Sequence, residues 1–177
     1  DHWAFDARLS NIGTDGYIDR ASVDLYSFYA QGGYFADNTS VKFITFGGKE
    51  KTYHAWNYAT KEEMKKYGRR FNSCGMYTDD DGHIRFYKDQ TDNYLQINNQ
   101  LVLSHRFNEK WTLNATGFYT YGYGFYKQYK DARTLSEYLN IPTDVAAGKE
   151  ADLVREKIMR NHLGGLNASA SYTSRAL

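Results

Sequence analysis

The clearest order in the chain is an alternation of apolar and polar positions between residues 93 and 126. Trp111, Leu113, Ala115, Gly117, Tyr119 and Tyr121 share one parity, and Thr112, Asn114, Thr116 and Thr120 take the other. A period of two is the signature of a strand with one apolar and one polar face. The preceding run follows the same rule, with Leu95, Ile97, Leu101 and Leu103 against Gln96, Asn98, Gln100 and Ser104, and with Asn99 interrupting the apolar series. Residues 106–110 lie between the two runs as a short turn, so the pair predicts a hairpin. Near the C-terminus Leu166, Ala168, Ala170 and Tyr172 alternate with Asn167, Ser169, Ser171 and Thr173; near the N-terminus Trp3, Phe5, Ala7 and Leu9 alternate with Asp6, Arg8 and Ser10.

Two further segments, 22–35 and 39–46, are rich in Tyr, Phe, Val and Ile but alternate less cleanly, and Ala36-Asp37-Asn38 joins them. The count is six strands. Their connections take turns in length: medium at 11–21, short at 36–38, long at 47–92, short at 106–110, long at 127–160. Tight turns at one end and free loops at the other are the rhythm of an outer-membrane barrel. The expected fold is therefore all-β, an antiparallel transmembrane β-barrel segment of about six strands with long extracellular loops. Leu95, Ile97, Leu101, Leu103, Trp111, Leu113 and Tyr119 are expected to face lipid. Gln96, Asn98, Gln100, Thr112, Asn114 and Thr116 are expected to face the lumen. Trp111 beside a short turn, with Tyr119, Tyr121 and Tyr123 toward the other end, fits two aromatic girdles.

The loops are expected to carry short helices. Thr60 followed three residues later by Glu63 is a capping-box pattern that predicts a helix over 60–70. Segments 131–139 and 151–159 read as two more, with Pro142, the single proline, separating them.

Composition narrows the classes. Aromatics make up 17% of the 177 residues and include 17 Tyr, so much of the apolar character sits in rings with polar tips, which favour a boundary between oil and water. No run of about 18 apolar residues exists to form a membrane-spanning helix. Lys plus Arg total 22 against 21 Asp plus Glu, which gives no footprint for nucleic acid. Cys74 is the single cysteine, which excludes a disulfide scaffold and reads as an incidental loop thiol.

Few motifs suggest chemistry. Asp79-Asp80-Asp81-Gly82, aligned to an EF-hand on its glycine, puts Tyr77 first and Lys88 twelfth, so the ligands are missing and a solvated Asp-Gly turn is the better reading. The five histidines at 2, 54, 83, 105 and 162 form no ligand pair. No nucleophile elbow, phosphate loop or zinc-protease motif occurs, and Gly122-Tyr123-Gly124 sits inside a strand pattern. Neither an enzyme nor a resident metal or cofactor is expected. The candidate ligand residues are Tyr53, His54, Trp56 and Tyr58 in one predicted loop, with Arg69 and Arg70 following: rings that stack and guanidiniums that pair with anions. The alternative is that these rings pack the long loops against each other.

Three runs carry a family likeness. Gly16-Tyr17-Ile18-Asp19-Arg20-Ala21, the stretch from Lys42-Phe43-Ile44-Thr45-Phe46-Gly47-Gly48 to Lys49-Glu50-Lys51-Thr52-Tyr53, and Thr91-Asp92-Asn93-Tyr94-Leu95-Gln96 resemble barrel segments of TonB-dependent receptors, those of the Bacteroides group most. The resemblance implies residues 1–177 as a partial barrel domain in the bacterial outer membrane, with outer-membrane lipid as its surroundings. It also implies a plug domain elsewhere in a longer protein, TonB acting through that plug, and uptake of an iron chelate, haem, a cobalamin or a glycan. Asp1 within a strand pattern, with no leader before it, agrees with a piece of a longer chain. It carries over no ligand residue, because the family's substrate contacts lie in variable loops. A soluble surface β-sandwich that binds carbohydrate is the alternative; charge-free apolar faces argue against it. A small complete barrel ranks last, because eight strands is the usual minimum.

Overall fold

The computed structural model describes residues 2–138 and 141–174. Six long strands, β1 (Trp3–Thr14), β2 (Val23–Phe35), β3 (Thr39–Tyr53), β6 (Thr91–Arg106), β7 (Trp111–Thr134) and β8 (Glu150–Tyr172), form one antiparallel sheet in the order β1-β2-β3-β6-β7-β8. Each strand thus pairs with its neighbour along the chain, interrupted once by a small hairpin, β4 (Met76–Thr78) and β5 (Ile84–Phe86), which forms a second sheet. Residues 36–38 and 107–110 turn at one end of the sheet. Residues 15–22, 54–90 and 135–149 connect at the other. The sheet is open, with β1 and β8 each paired along a single edge.

The register settles which residues share a face. Trp3, Tyr34, Val41, Leu103, Ala115 and Ala168 lie across from one another in one row, and Leu9, Phe28, Gly47, Ile97, Tyr121 and His162 in another six residues further along β1. From the first of these rows to the second, this face carries no Asp, Glu, Lys or Arg. Phe5, Leu9, Leu101 and Leu166 are exposed on it. The opposite face holds Gln31, Gln96, Asn98, Gln100, Thr116 and Asn167, with the charges of Asp6, Arg8 and Lys42. It is less purely polar than alternation alone predicts: Ile44, Gln100 and Phe118 share one row, and Phe46 and Asn98 the next. Asn99, the break in the apolar series, sits opposite Thr45, whose hydroxyl donates to its side-chain oxygen at 2.9 Å.

Three strands run further than the sequence pattern predicts. β3 continues through Gly47-Gly48 to Tyr53 instead of ending at Phe46. The glycines mark a close approach here, since a Cβ on Gly47 would lie 2.3 Å from the Gln96 carbonyl oxygen of β6. β7 extends to Thr134 and β8 begins at Glu150, so the expected loop 127–160 shrinks to 135–149. The helices expected at 131–139 and 151–159 are therefore corrected. The first is strand to Thr134 followed by a 3-10 turn, Leu135–Glu137, with residue 139 outside the described residues; the second is strand. Cross-strand partners of opposite charge such as Lys127 and Glu156 favour the ladder over local helix propensity. The ladder slips once, between Lys130 and Arg133, where Ala132 adopts a φ of 43°. Pro142 caps a four-residue helix, α2 (Thr143–Ala146). The capping box at Thr60 and Glu63 is present, and α1 spans Lys61–Tyr67.

Candidate functional site

Most of the fully buried side chains lie where β3 enters the long connection 54–90, not within the sheet. Tyr53, Phe71, Cys74, Asn72, Thr52, Gln90 and Thr91 are buried there. Tyr53 is the pivot. Its hydroxyl lies 2.9 Å from the Cys74 carbonyl oxygen and 2.7 Å from that of Tyr87, tying the base of the loop to both sides of the β4–β5 hairpin. Burial pushes the Tyr53 phenol above its usual range.

Asn72 holds the loop from a second side. Its amide nitrogen donates to the Asp19 carbonyl at 3.0 Å, and its side-chain oxygen accepts the Cys74 N–H at 3.0 Å. The Asp19 N–H in turn donates to Arg70 O at 2.8 Å, and the Asp19 carboxylate pairs with Arg70 Nε at 3.1 Å. Connections 15–22 and 54–90 are thereby laced together. Cys74 is part of this lacing and not incidental: it is 2% exposed, and its Sγ accepts the Trp56 N–H at 3.2 Å.

Of the six ligand candidates, Tyr53 is buried in this small core and has its hydroxyl engaged. His54 and Trp56 meet in a tilted arrangement at 4.3 Å between ring centroids, and Trp56 is 53% exposed. Tyr58 is almost wholly exposed. Arg70 is committed to Asp19 and reaches over the Tyr17 ring at 5.8 Å, while Arg69 lies exposed on the surface. The six do not converge. Leu95, Ile97, Leu101, Leu103, Trp111, Leu113 and Tyr119 fall together on the apolar side of the sheet, Leu95 in a row that also holds Lys49 and Arg160, and Gln96, Asn98, Gln100, Thr112, Asn114 and Thr116 on the other. Tyr119 also meets His162 Nδ1 at 2.7 Å.

What does converge is Tyr53 with a set of residues not singled out from the sequence. A cavity of about 640 Å³ is lined by Arg20, Ser22, Tyr53, Tyr77, Arg85 and Lys88 with Ile84 and Phe86. Arg20 arrives there from a left-handed backbone, φ 64°, unusual for a residue with a Cβ. Its guanidinium stacks over the Phe86 ring at 3.8 Å and donates to the Asn72 carbonyl. Arg85 Nε donates to Asp79 Oδ2 at 2.7 Å. Its hydrogen bond holds the Asp79 carboxyl below the usual range, with the His83 N–H assisting. Asp79, Asp81 and His83 bring ligand atoms within 4.8 Å of one another, but Asp79 already serves the turn, accepting from His83 N and Arg85.

The hairpin is docked onto the strand extension by rings. Tyr77 and Tyr87 meet Tyr129 of β7 at centroid distances of 4.6 and 5.6 Å, and the Tyr129 hydroxyl donates to Asp152 of β8. Beside them Lys127 Nζ lies 2.8 Å from Asp89, whose other oxygen is 3.8 Å from Lys51.

A signal for these residues existed in the sequence. Arg20 lies within the run Gly16–Ala21, and Arg85 and Lys88 follow the Asp-Gly turn closely. No protein-family model matches the chain, nor does any curated protein or solved structure.

Proposed function

We propose that the chain is part of the barrel wall of a TonB-dependent outer-membrane receptor, with the charge-free face against lipid and the mixed face toward the lumen and its plug. The observation that carries the reading is the partition of the two faces across six consecutive strands. A sheet face this apolar and this exposed needs a cover, and lipid covers it without a partner. From Trp111 to Tyr121 the strand advances about 34 Å at roughly 3.4 Å per residue, and a tilt of about 45° reduces this to the ~25 Å height of an outer-membrane apolar band.

The mixed composition of the other face suits a wall that packs against protein better than one that lines a water-filled pore. Ile44, Phe46 and Phe118 supply apolar contact between amides and hydroxyls. Unpaired backbone groups along β1 and β8 would each cost several kcal/mol in hydrocarbon, so this placement calls for further strands on both sides. The connections 15–22, 54–90 and 135–149 then lie outside the cell, where they capture cargo that passes a displaced plug.

The test is an immunoblot of fractionated source cells with antibody against this chain, comparing boiled and unboiled samples. An outer-membrane band far heavier than 20.5 kDa that shifts on boiling supports the receptor. A soluble or surface-released band near 20.5 kDa overturns it and favours a carbohydrate-binding β-sandwich.

A further inference from the structure

We infer that the cavity between connection 15–22 and the β4–β5 hairpin binds a ligand that joins anionic groups, carboxylate or sulfate, to a flat body of sugar-ring size. Arg20 reaches it from connection 15–22 and Arg85 and Lys88 from the β4–β5 hairpin, and none of its lining residues is an acid. One carboxylate, Asp79, sits behind Arg85 and takes its Nε, which leaves that guanidinium's two terminal nitrogens with no acceptor among the described residues. Lys88 makes no ion pair among them either.

Arg20 is held in place by its stacking on Phe86 and its bond to Asn72, with its Nε buried, so it brings a fixed positive charge to the cavity wall instead of a two-pronged contact. Tyr77 lies in the same wall and offers a ring face, the surface on which a sugar or planar group stacks. The volume, about 640 Å³, is within the ordinary range for small-ligand sites. Of the acids around it, Asp89 is engaged by Lys127 and Lys51, Glu156 by Lys127, and Asp19 by Arg70, while Asp80 and Asp81 of the hairpin turn have no cation partner among the described residues.

The inference rests on the receptor reading only for the direction from which cargo arrives. Calorimetric titration of the full-length native protein, in detergent, would use a galacturonate trisaccharide, its neutral methyl ester, and inorganic sulfate. The acid should bind about tenfold or more tightly than the ester, because charge-assisted hydrogen bonds are lost with the charge. Sulfate should compete with it, and raising the salt should weaken it.

Arg20→Gln risks loosening the loops, so the decisive variants are Arg85→Gln and Lys88→Gln on the exposed rim. Combined, they should lower affinity for the acid at least tenfold while leaving the unfolding midpoint of the sheet in place. Equal affinity for acid and ester, unchanged binding by the double variant, or no binding of any of the three probes overturns the site. A soluble protein that binds the acid keeps the site and sinks the receptor; a heat-modifiable outer-membrane barrel that binds no probe does the reverse.

Discussion

The Thr45 hydroxyl on β3 donates to the Asn99 side-chain oxygen on β6 at 2.9 Å, within the stretch of sheet face that carries no charge. The two residues satisfy each other where their surroundings offer little else. In the proposed membrane setting, Thr45→Val should destabilise the protein by about 1–3 kcal/mol, because the Asn99 amide is left without its partner. The double change Thr45→Val with Asn99→Leu should recover most of that loss. Denaturant titration of the heat-modifiable form measures both. A double variant as unstable as the sum of its singles would show that the pair is not a mutual shield.

Tyr53 makes a different prediction, confined to the loops. Tyr53→Phe keeps the ring and removes the one donor serving the Cys74 and Tyr87 carbonyls, a loss of about 1–3 kcal/mol. Hydrogen exchange should quicken across residues 54–90 while β6 and β7 keep their protection. Equal loosening of sheet and loops would mean that Tyr53 supports the sheet itself.

Gly47 and Gly117 should respond oppositely to alanine. At Gly47 the new methyl meets the Gln96 carbonyl oxygen at 2.3 Å, so β3 and β6 must part and stability falls by roughly 2 kcal/mol or more. Nothing lies within 4 Å of the corresponding position at Gly117, where alanine should be neutral or gain about 0.5–1 kcal/mol by stiffening the chain. Thermal melts of the two variants, side by side, decide whether close strand approach explains the Gly47-Gly48 pair.

The Asp79 carboxyl titrates below its usual range because Arg85 and the His83 N–H favour its charged form. A depressed carboxyl contributes order that is present above its unfolded value, near pH 4, and is lost as the pH falls through its lower folded value. The β4–β5 turn should therefore hold its Ile84 and Arg85 amide resonances steady from neutral pH to about pH 5 and shift them only below about pH 4. Asp79→Asn should abolish that acid transition. A transition centred above about pH 5 would detach it from Asp79.

The sheet was legible because its signal is periodic: Leu95 to Leu103 and Trp111 to Tyr121 differ from their alternates at most steps, with Val102 and Phe118 apolar on the polar parity, while Asn99, the polar residue in the apolar series, has a cross-strand partner invisible to a local pattern. The strand extensions were not legible, for the same reason in reverse. Residues 127–134 and 150–160 are strongly charged, and their alternation is written in pairs such as Lys127 with Glu156 that appear only once the strands lie side by side. Gly47-Gly48 read as a break because glycine usually ends a strand, whereas here it admits a neighbour. The expected ligand cluster mixed two kinds of residue: Tyr53, which packs, and Trp56 and Tyr58, which remain exposed. The convergence of Arg20 with Arg85 and Lys88 joins segments far apart in sequence, and no spacing rule reaches that far.

Because each long strand pairs with the next one along the chain, a connection enters the thermodynamics of the sheet mainly through the entropy of closing it. Residues 36–38 and residues 54–90 close two such junctions, and their roughly tenfold difference in length amounts to only about 2 kcal/mol in closure entropy. The far end of the sheet is thus nearly free to lengthen, shorten or exchange its surface chemistry while the ladder beneath keeps its register. A sheet of this design tolerates change in its connections far more readily than in its strands.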